Sequence, residues 1–377
     1  MTAEPNSVVI ESRSTDELDQ EQFIEQITAD SFTTWHRRKE WRENIENGQS
    51  YFNGTGTVPE PERHSPSKLL QCHRKITYRQ HNAPEEQSDP QGIFWFGTKF
   101  EEELVLPFLK DAVTGDDAFV SNSLWVDYTK EVATGELRIK GATDPVIVDA
   151  NGVPILPTEI KTKSSVEQLD KPNNHHLAQL HAYLVGLNEK YDRDLVRGTL
   201  IYGSRQSLDI AVFDVRFDPD FWEGIVLKWA SEHTQYQLDE TLPPATPEYD
   251  WECQFCEYQH RCGQGNSDHN DYGPHGLLPG FTAYPREKVI EYLEAHSDES
   301  LTPALAREYP DLVEVYDVMD WYCSACESTI DWRVVGDVEE PICPRCAEQN
   351  ELSSLSLPTT NDWDSSDDTE SERLQNP

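Results

Sequence analysis

The sequence predicts an α/β protein, a mixed sheet flanked by helices, followed by a small lobe that needs metal to fold. Leu137–Lys163, LRIKGATDPVIVDANGVPILPTEIKTK, reads as two strands joined at Asn151-Gly152, a dipeptide suited to the φ > 0 turn of a hairpin. Helix and strand patterns then alternate to about Gln237. Beyond them come two Cys-x-x-Cys knuckles.

A chain of 377 residues suits one large domain and a small one. The net charge of −39 is spread along the chain, and ten Trp, fifteen Tyr and thirteen Phe need somewhere to pack, which argues against acidic disorder over most of the length. A uniformly acidic, lysine-poor surface resembles adaptation to high intracellular salt, as in halophilic archaea. No apolar signal region follows Met1 and no apolar run suits a membrane span, so the expected location is cytoplasmic. There, cysteines in Cys-x-x-Cys groups point to metal rather than disulfides.

Residues 1–60 read as an N-terminal segment, partly disordered, with a helical pattern over Asp16–Glu46 that suits packing on the main domain. A short capped helix then ends at Cys72, crowded by Lys68, Arg74, Lys75 and Arg79. Far downstream lies Cys253-x-x-Cys256-x5-Cys262. With Cys72 these thiolates can close an iron–sulfur cluster or a tetrahedral site; a buried free Cys72 beside a three-cysteine zinc site with His260 is the alternative. Gly92–Leu109 reads as an aromatic strand or turn leading into an amphipathic helix, with Phe94, Trp95 and Phe96 as core aromatics.

Asp144 opens the run PVIVD, while Glu159 and Lys161, two apart on a strand, share one face. Ile160 between them points to the opposite face. Two carboxylates beside a lysine make a hard-cation site that can position Mg²⁺ or Mn²⁺ against a phosphodiester. A helix from about Pro172 to about Asn188 puts Gln179 and Tyr183 on one face, with His175, His176 and His181 read as helix surface. Strands over Arg197–Tyr202 and Ala211–Phe217 and a helix over Phe221–Gln237 complete the main domain. Residues 266–318 read as a linker with short helices. In 319–350, Cys323-x-x-Cys326 and Cys343-x-x-Cys346 have the spacing of a zinc ribbon, four thiolates around tetrahedral Zn²⁺. Residues 351–377 read as a disordered acidic tail.

The order Asp144, Glu159-Ile160-Lys161, Gln179-x-x-x-Tyr183 resembles the PD-(D/E)xK nuclease core in its RecB-like form, over roughly residues 61–265. One cysteine ahead of that core and three behind it resemble the CRISPR-associated RecB-like exonucleases and related iron–sulfur nucleases. The resemblance implies a restriction-endonuclease-like sheet whose ends are clipped by a 4Fe–4S cluster on Cys72, Cys253, Cys256 and Cys262. It implies Mg²⁺ or Mn²⁺ on Asp144, Glu159 and the carbonyl of Ile160, with Lys161 orienting water or offsetting charge and Gln179 and Tyr183 positioning the strand. The family's opening Gly-x-x-x-His is here Gly97-Thr98-Lys99-Phe100-Glu101, which makes Glu101 the candidate for a third metal ligand. The implied activity is exonucleolytic hydrolysis of DNA, single-stranded or with single-stranded ends, in repair, recombination or CRISPR adaptation. The ribbon offers a place for a protein partner. A non-cleaving DNA-binding protein or scaffold on the same fold is the alternative, and the full carboxylate set argues against it.

Overall fold

The computed structural model describes residues 26–46, 58–116, 118–265, 269–336, 341–357 and 364–365. Two units separate, residues 1–54 and 55–377. In the first, α1 (Ala29–Glu46) is helical, with the Phe32 ring 5.9 Å from that of Trp35. Phe23 and Ile24, expected on this helix, lie outside the described residues.

The second unit begins with β1 (Arg63–His64) and α2 (His73–Gln80), whose N-cap residue is Cys72. Next comes α3 (Gln91–Lys99), continued by wider π-helical turns over Phe100–Val105 and Leu109–Val113. The expected strand or turn at Gly92 is thus already helix, and Phe94 and Trp95 are exposed rather than core, 60% and 50%. The chain then forms β2 (Phe119–Ser121), β3 (Trp125–Val132), β4 (Gly135–Ala142), β5 (Val146–Val148), β6 (Pro154–Lys163), α4 (Asn174–Tyr191), β7 (Arg197–Ser204), β8 (Ile210–Arg216) and α5 (Lys228–Leu238).

These strands make two sheets. The larger is mixed, in the order β2-β5-β6-β7-β8, with β6 and β7 parallel and the other neighbours antiparallel. The smaller has the order β1-β4-β3. Leu137–Lys163 is therefore three strands rather than two, because Leu137–Ala142 belongs to β4 in the smaller sheet. The chain bends at Thr143–Pro145 and changes sheets there. The β5–β6 turn does run through Asn151-Gly152, with Gly152 at φ 75° and Asp149 Oδ1 accepting from the N–H groups of Asn151 and Val153.

A parallel pair needs a crossover, and α4 supplies it between β6 and β7. It starts at Asn174 with Asn173 as N-cap residue, two residues beyond Pro172. Its Ala178, Leu180, Ala182 and Leu187 share a core with Leu200 and Tyr202 of β7 and Trp222, Val226 and Ala230. Burying such side chains contributes about 1.5–3 kcal/mol for each large one. The opposite face of the sheet packs Ile160 and Ile201 against Phe100, Val105 and Leu109. Gly203 makes this close approach possible, since a Cβ there would run into the Phe100 ring.

Within 266–318, α6 (Arg286–Ala295) and α7 (Pro303–Glu308) build a core of their own around Leu278, Tyr284, Val289, Leu301 and Leu305. The fully buried Arg261 ties this lobe to the cysteine loop, donating to the carbonyls of Gly273, His275 and Gly276. The last lobe holds β9 (Trp321–Cys323), β10 (Ser328–Ile330) and α8 (Pro344–Glu348). Residues 351–357 of the expected tail pack on it, with Tyr322 bridged to Ser356 and Leu355 buried. Among the described residues no helix is long and apolar enough to cross a membrane.

Candidate active site

β6 sets the geometry. Register puts Glu159 opposite Leu200 and Lys161 opposite Tyr202, so both side chains face α4, while Ile160 turns to the α3 side. Pairing with β5 ends near Pro157, which leaves the outer edge of β6 open beyond Thr158. The bend at Asp144 fills that edge. Asp144 Oδ2 accepts from the Ile160 N–H at 2.7 Å. In a strand the N–H and C=O of one residue point to the same edge, so the Ile160 carbonyl opens on the Asp144 side.

The Glu159 side chain is fully buried and ion-paired with Lys161 through Oε1, yet neither carboxylate oxygen accepts a hydrogen bond of ordinary geometry. Burial, then Asp144 and Glu101, push its pKa up to about 8 against the pull of Lys161. Glu101, in the π-helical turn after α3, is raised to about 7 by burial, then by Asp144 and Glu102. Asp144 is raised by burial, opposed by Lys161 and the Ile160 N–H. For Lys161, burial works against the charge, but Glu159 and Asp144 outweigh it and hold the pKa above the ordinary value. The structure therefore brings Glu101, Asp144, Glu159 and Lys161 into one electrostatic cluster, although elements far apart in sequence supply them.

Gln179 and Tyr183 are both buried on α4. Gln179 Nε2 donates to the Tyr183 hydroxyl at 2.8 Å, and that hydroxyl donates to the Ala142 carbonyl at 2.8 Å. The pair thus fixes the end of β4, two residues ahead of Asp144. The three histidines are not simply helix surface. His181 is 2% exposed and accepts at Nε2 from the Asp218 N–H. His175 bonds Glu248 at 2.9 Å. His176 pairs with the Tyr202 hydroxyl at 2.8 Å, and burial, then His175, Lys161 and Lys163, keep it neutral. His176, read from sequence as helix surface, and Tyr202, which sequence did not single out, thus border the site. The spacing 176, 179, 183 on one helical face is the signal that could have found His176.

The cysteines form two groups. In the ribbon, Cys323 and Cys346 Sγ lie 3.7 Å apart and Cys326 and Cys343 Sγ 3.6 Å apart. Thiolates around one tetrahedral ion with Zn–S ≈ 2.3 Å stand about 3.8 Å apart, so this cluster, on a two-stranded sheet, can hold a metal. In the main domain, α2 brings Cys72 to the loop of Cys253, Cys256 and Cys262. Burial raises the Cys262 thiol to about 11, with Cys72 and Cys253 adding to it against Arg74. The Cys253 thiol is raised by burial, then by Cys72. Glu86 clamps the loop by accepting from the His260 and Arg261 N–H groups, both at 2.7 Å. Among the described residues, only the ribbon brings three or more ligand atoms within 4.8 Å of one another; neither the Cys72 group nor Glu101, Asp144 and Glu159 do so.

The mixed sheet thus carries a carboxylate cluster beside the open edge of its middle strand. Residues 33–263, more than half of the chain, match the model of the PD-(D/E)XK nuclease superfamily, and the chain belongs to that superfamily. Membership points to phosphodiester hydrolysis on a nucleic-acid substrate, for which a divalent metal is typical. The solved structure titled "Crystal structure of SSO0001" is similar over 60% of this chain and 93% of that one, with 21% identity and a TM-score of 0.40. No curated protein matches the chain significantly.

Proposed function

We propose that the chain is a metal-dependent DNA exonuclease acting on single strands or single-stranded ends, in repair, recombination or CRISPR adaptation. The Glu159 carboxylate carries this reading. A fully buried carboxylate beside a second carboxylate, Asp144, costs free energy that one lysine offsets only in part, and a cation would relieve the rest. Asp144, Glu159 and the Ile160 carbonyl would hold Mg²⁺ or Mn²⁺, hard cations that take oxygen ligands, and Glu101 fits as a further carboxylate. When bound, the divalent ion supplies a Lewis acid for the phosphodiester and a more acidic water. Lys161 keeps its proton beside the reacting group and offsets charge developing on the phosphoryl oxygens. Gln179 and Tyr183, too buried to grip a strand broadly, hold Asp144 in place through Ala142.

Cys72, Cys253, Cys256 and Cys262 would hold a 4Fe–4S cluster. In such a cluster each thiolate binds a separate iron. The ribbon cysteines would hold Zn²⁺, and the ribbon would dock a protein or a DNA end. The acidic exterior agrees with a high-salt cytoplasm, where counterion release contributes little to DNA binding. The test is anaerobic purification at high salt, then Mn²⁺-dependent digestion of 5′- and 3′-labelled single strands by wild type and Glu159→Gln. Wild type should shorten the strands from an end and the variant should not. Equal digestion by both would overturn the assignment.

A further inference from the structure

The basic cluster around Cys72 divides in the structure. Arg74 pairs with Asp271, and Lys75 with Glu257 at 3.0 Å. Lys68 is placed differently. It lines a cavity of about 320 Å³ with Arg63, Arg79, His64, Gln80 and Trp229. Among the described residues neither Lys68 nor Arg63 has a carboxylate within ion-pair distance, and Arg79 shares the Glu257 carboxylate with Lys75. Burial, then Arg79 and Arg63, all act to lower the Lys68 pKa. In a chain with 70 acidic residues against 31 Lys and Arg, a carboxylate would be the commonest neighbour of any lysine. Three cations facing one cavity are therefore unusual. Like charges gathered around the half-buried Lys68 cost free energy, which an entering anion offsets.

The chemistry narrows that anion. Two planar guanidiniums and an ammonium suit a phosphate group, which accepts several charge-assisted hydrogen bonds at once. Trp229 adds a flat wall. Its Nε1–H donates to the Gln71 carbonyl at 3.1 Å, and its ring stacks on His73 with centroids 4.6 Å apart, so the indole is held rigidly at the cavity, as a base-stacking surface needs to be.

We infer that this cavity binds the phosphate of a nucleotide, at a site separate from the carboxylate cluster. His64 pairs with Ile139 on β4, and Asp144 follows Ile139 by five residues, a reach of at most about 18 Å along the chain. A strand end seated in the cavity would lie within a few nucleotides of the carboxylates. That placement rests on the nuclease reading; phosphate binding does not. A free mononucleotide carries the same chemistry and is the other source.

The test uses the full chain carrying Glu159→Gln at high KCl without divalent cations, so that binding is read without cleavage. Single-stranded oligonucleotides ending in 5′-phosphate, 3′-phosphate or hydroxyls are titrated by anisotropy, and melting is followed with AMP. One phosphorylated end should bind roughly 10-fold or more tightly than hydroxyl ends, the worth of a charge-assisted contact. Adding Lys68→Met should erase the preference without lowering the ligand-free melting temperature, because it removes a repelled charge. Lys68-dependent protection by AMP with no preference among the oligonucleotides would assign the same site to a free nucleotide. The inference is overturned if no phosphate probe shows an effect that depends on Lys68. It is also overturned if Lys68→Met alone lowers the melting temperature and Arg63→Ala, at the exposed rim, leaves phosphate binding intact. Either failure beside normal Mn²⁺-dependent cleavage by the wild type would leave the nuclease reading standing.

Discussion

The Ile160 N–H donates to Asp144 Oδ2 at 2.7 Å, which pins the bend between the two sheets to the open edge of β6. One hydrogen bond from backbone to side chain thereby joins the two halves of the motif, Asp144 ahead of β5 and Glu159-Ile160-Lys161 on β6.

Loss of either carboxylate should therefore abolish cleavage without unfolding the chain. Asp144→Ala and Glu159→Gln should lose Mn²⁺-dependent activity, while Lys161→Ala should slow turnover by about 10²–10³, the loss expected for one electrostatic stabiliser. Far-ultraviolet circular dichroism should be unchanged in all three. Cleavage by Glu159→Gln at the wild-type rate would remove Glu159 from the site.

The raised carboxylates predict a pH dependence. Glu159 titrates at about 8 and Glu101 at about 7 in the folded chain, both above the unfolded carboxylate near 4.5. Between these limits the folded state holds protons that the unfolded state has released, so metal-free stability falls as pH rises through the window. Mn²⁺ must displace those protons, so its stabilisation should grow as pH passes 7 to 8. Glu159→Gln should flatten the metal-free profile, and each kcal/mol recovered at high pH would appear as about 2–4 °C of melting temperature. A metal-free wild type that melts highest above pH 8 would contradict this.

Much of this site was legible because strand and helix periods are local. Glu159 and Lys161 share a face by the period of a strand, Gln179 and Tyr183 by that of a helix, and both pairs stand where those periods put them. What sequence did not reveal is set by tertiary packing. The split of Leu137–Lys163 between two sheets depends on β1 and β3, which are remote in the chain. Tyr202 reaches His176 only because β7 lies parallel to β6. The Phe94 and Trp95 rings read as core by hydrophobicity, but the packed face of that helix begins at the half-buried Phe96, which stacks on the buried Phe100.

Gly203 should prove important for Glu101. Its missing side chain admits the Phe100 ring, and Phe100 adjoins Glu101 in the π-helical turn. Gly203→Ala should cost about 1–3 kcal/mol by overpacking and weaken Mn²⁺ binding by shifting Glu101. Adding Phe100→Leu should recover part of both losses. Weakened Mn²⁺ binding with no such recovery would mean that the effect does not pass through Phe100.

The cluster makes a separate prediction. Anaerobically prepared protein should be brown with about four irons per chain, and Cys72→Ser should bleach it and loosen the domain. Arg74 should amplify the loss, since it donates to the Pro243 and Cys262 carbonyls and so bridges α2 to the cysteine loop. A colourless anaerobic sample with two zincs and no iron would decide for zinc at both sites.

The last prediction concerns where the chain can be cut. A stop near Gly273 would remove the His275 and Gly276 carbonyls and disturb the Gly273 carbonyl, all of which accept from Arg261. It would also endanger the Tyr272 carbonyl that accepts from Tyr78 on α2. A buried guanidinium without acceptors is strongly destabilising. The helical lobe should therefore be kept and the cut placed after Asp320, beyond the backbone bond from Met319 to Leu301. Such a chain loses the Arg307 contacts to Val335 and Gly336, the bond from the Trp332 N–H to Asp320 and the pairing of Asp364–Ser365 with Thr241–Leu242, while the Arg261 acceptors stay in place. It should fold, retain its iron, lose one zinc and still degrade a short single strand, while binding a structured DNA end or a protein partner more weakly. The Gly273 chain should instead melt many degrees lower. If the Asp320 chain binds the oligonucleotide normally but cannot cut it, the ribbon belongs to the catalytic assembly and the separation drawn between them is wrong.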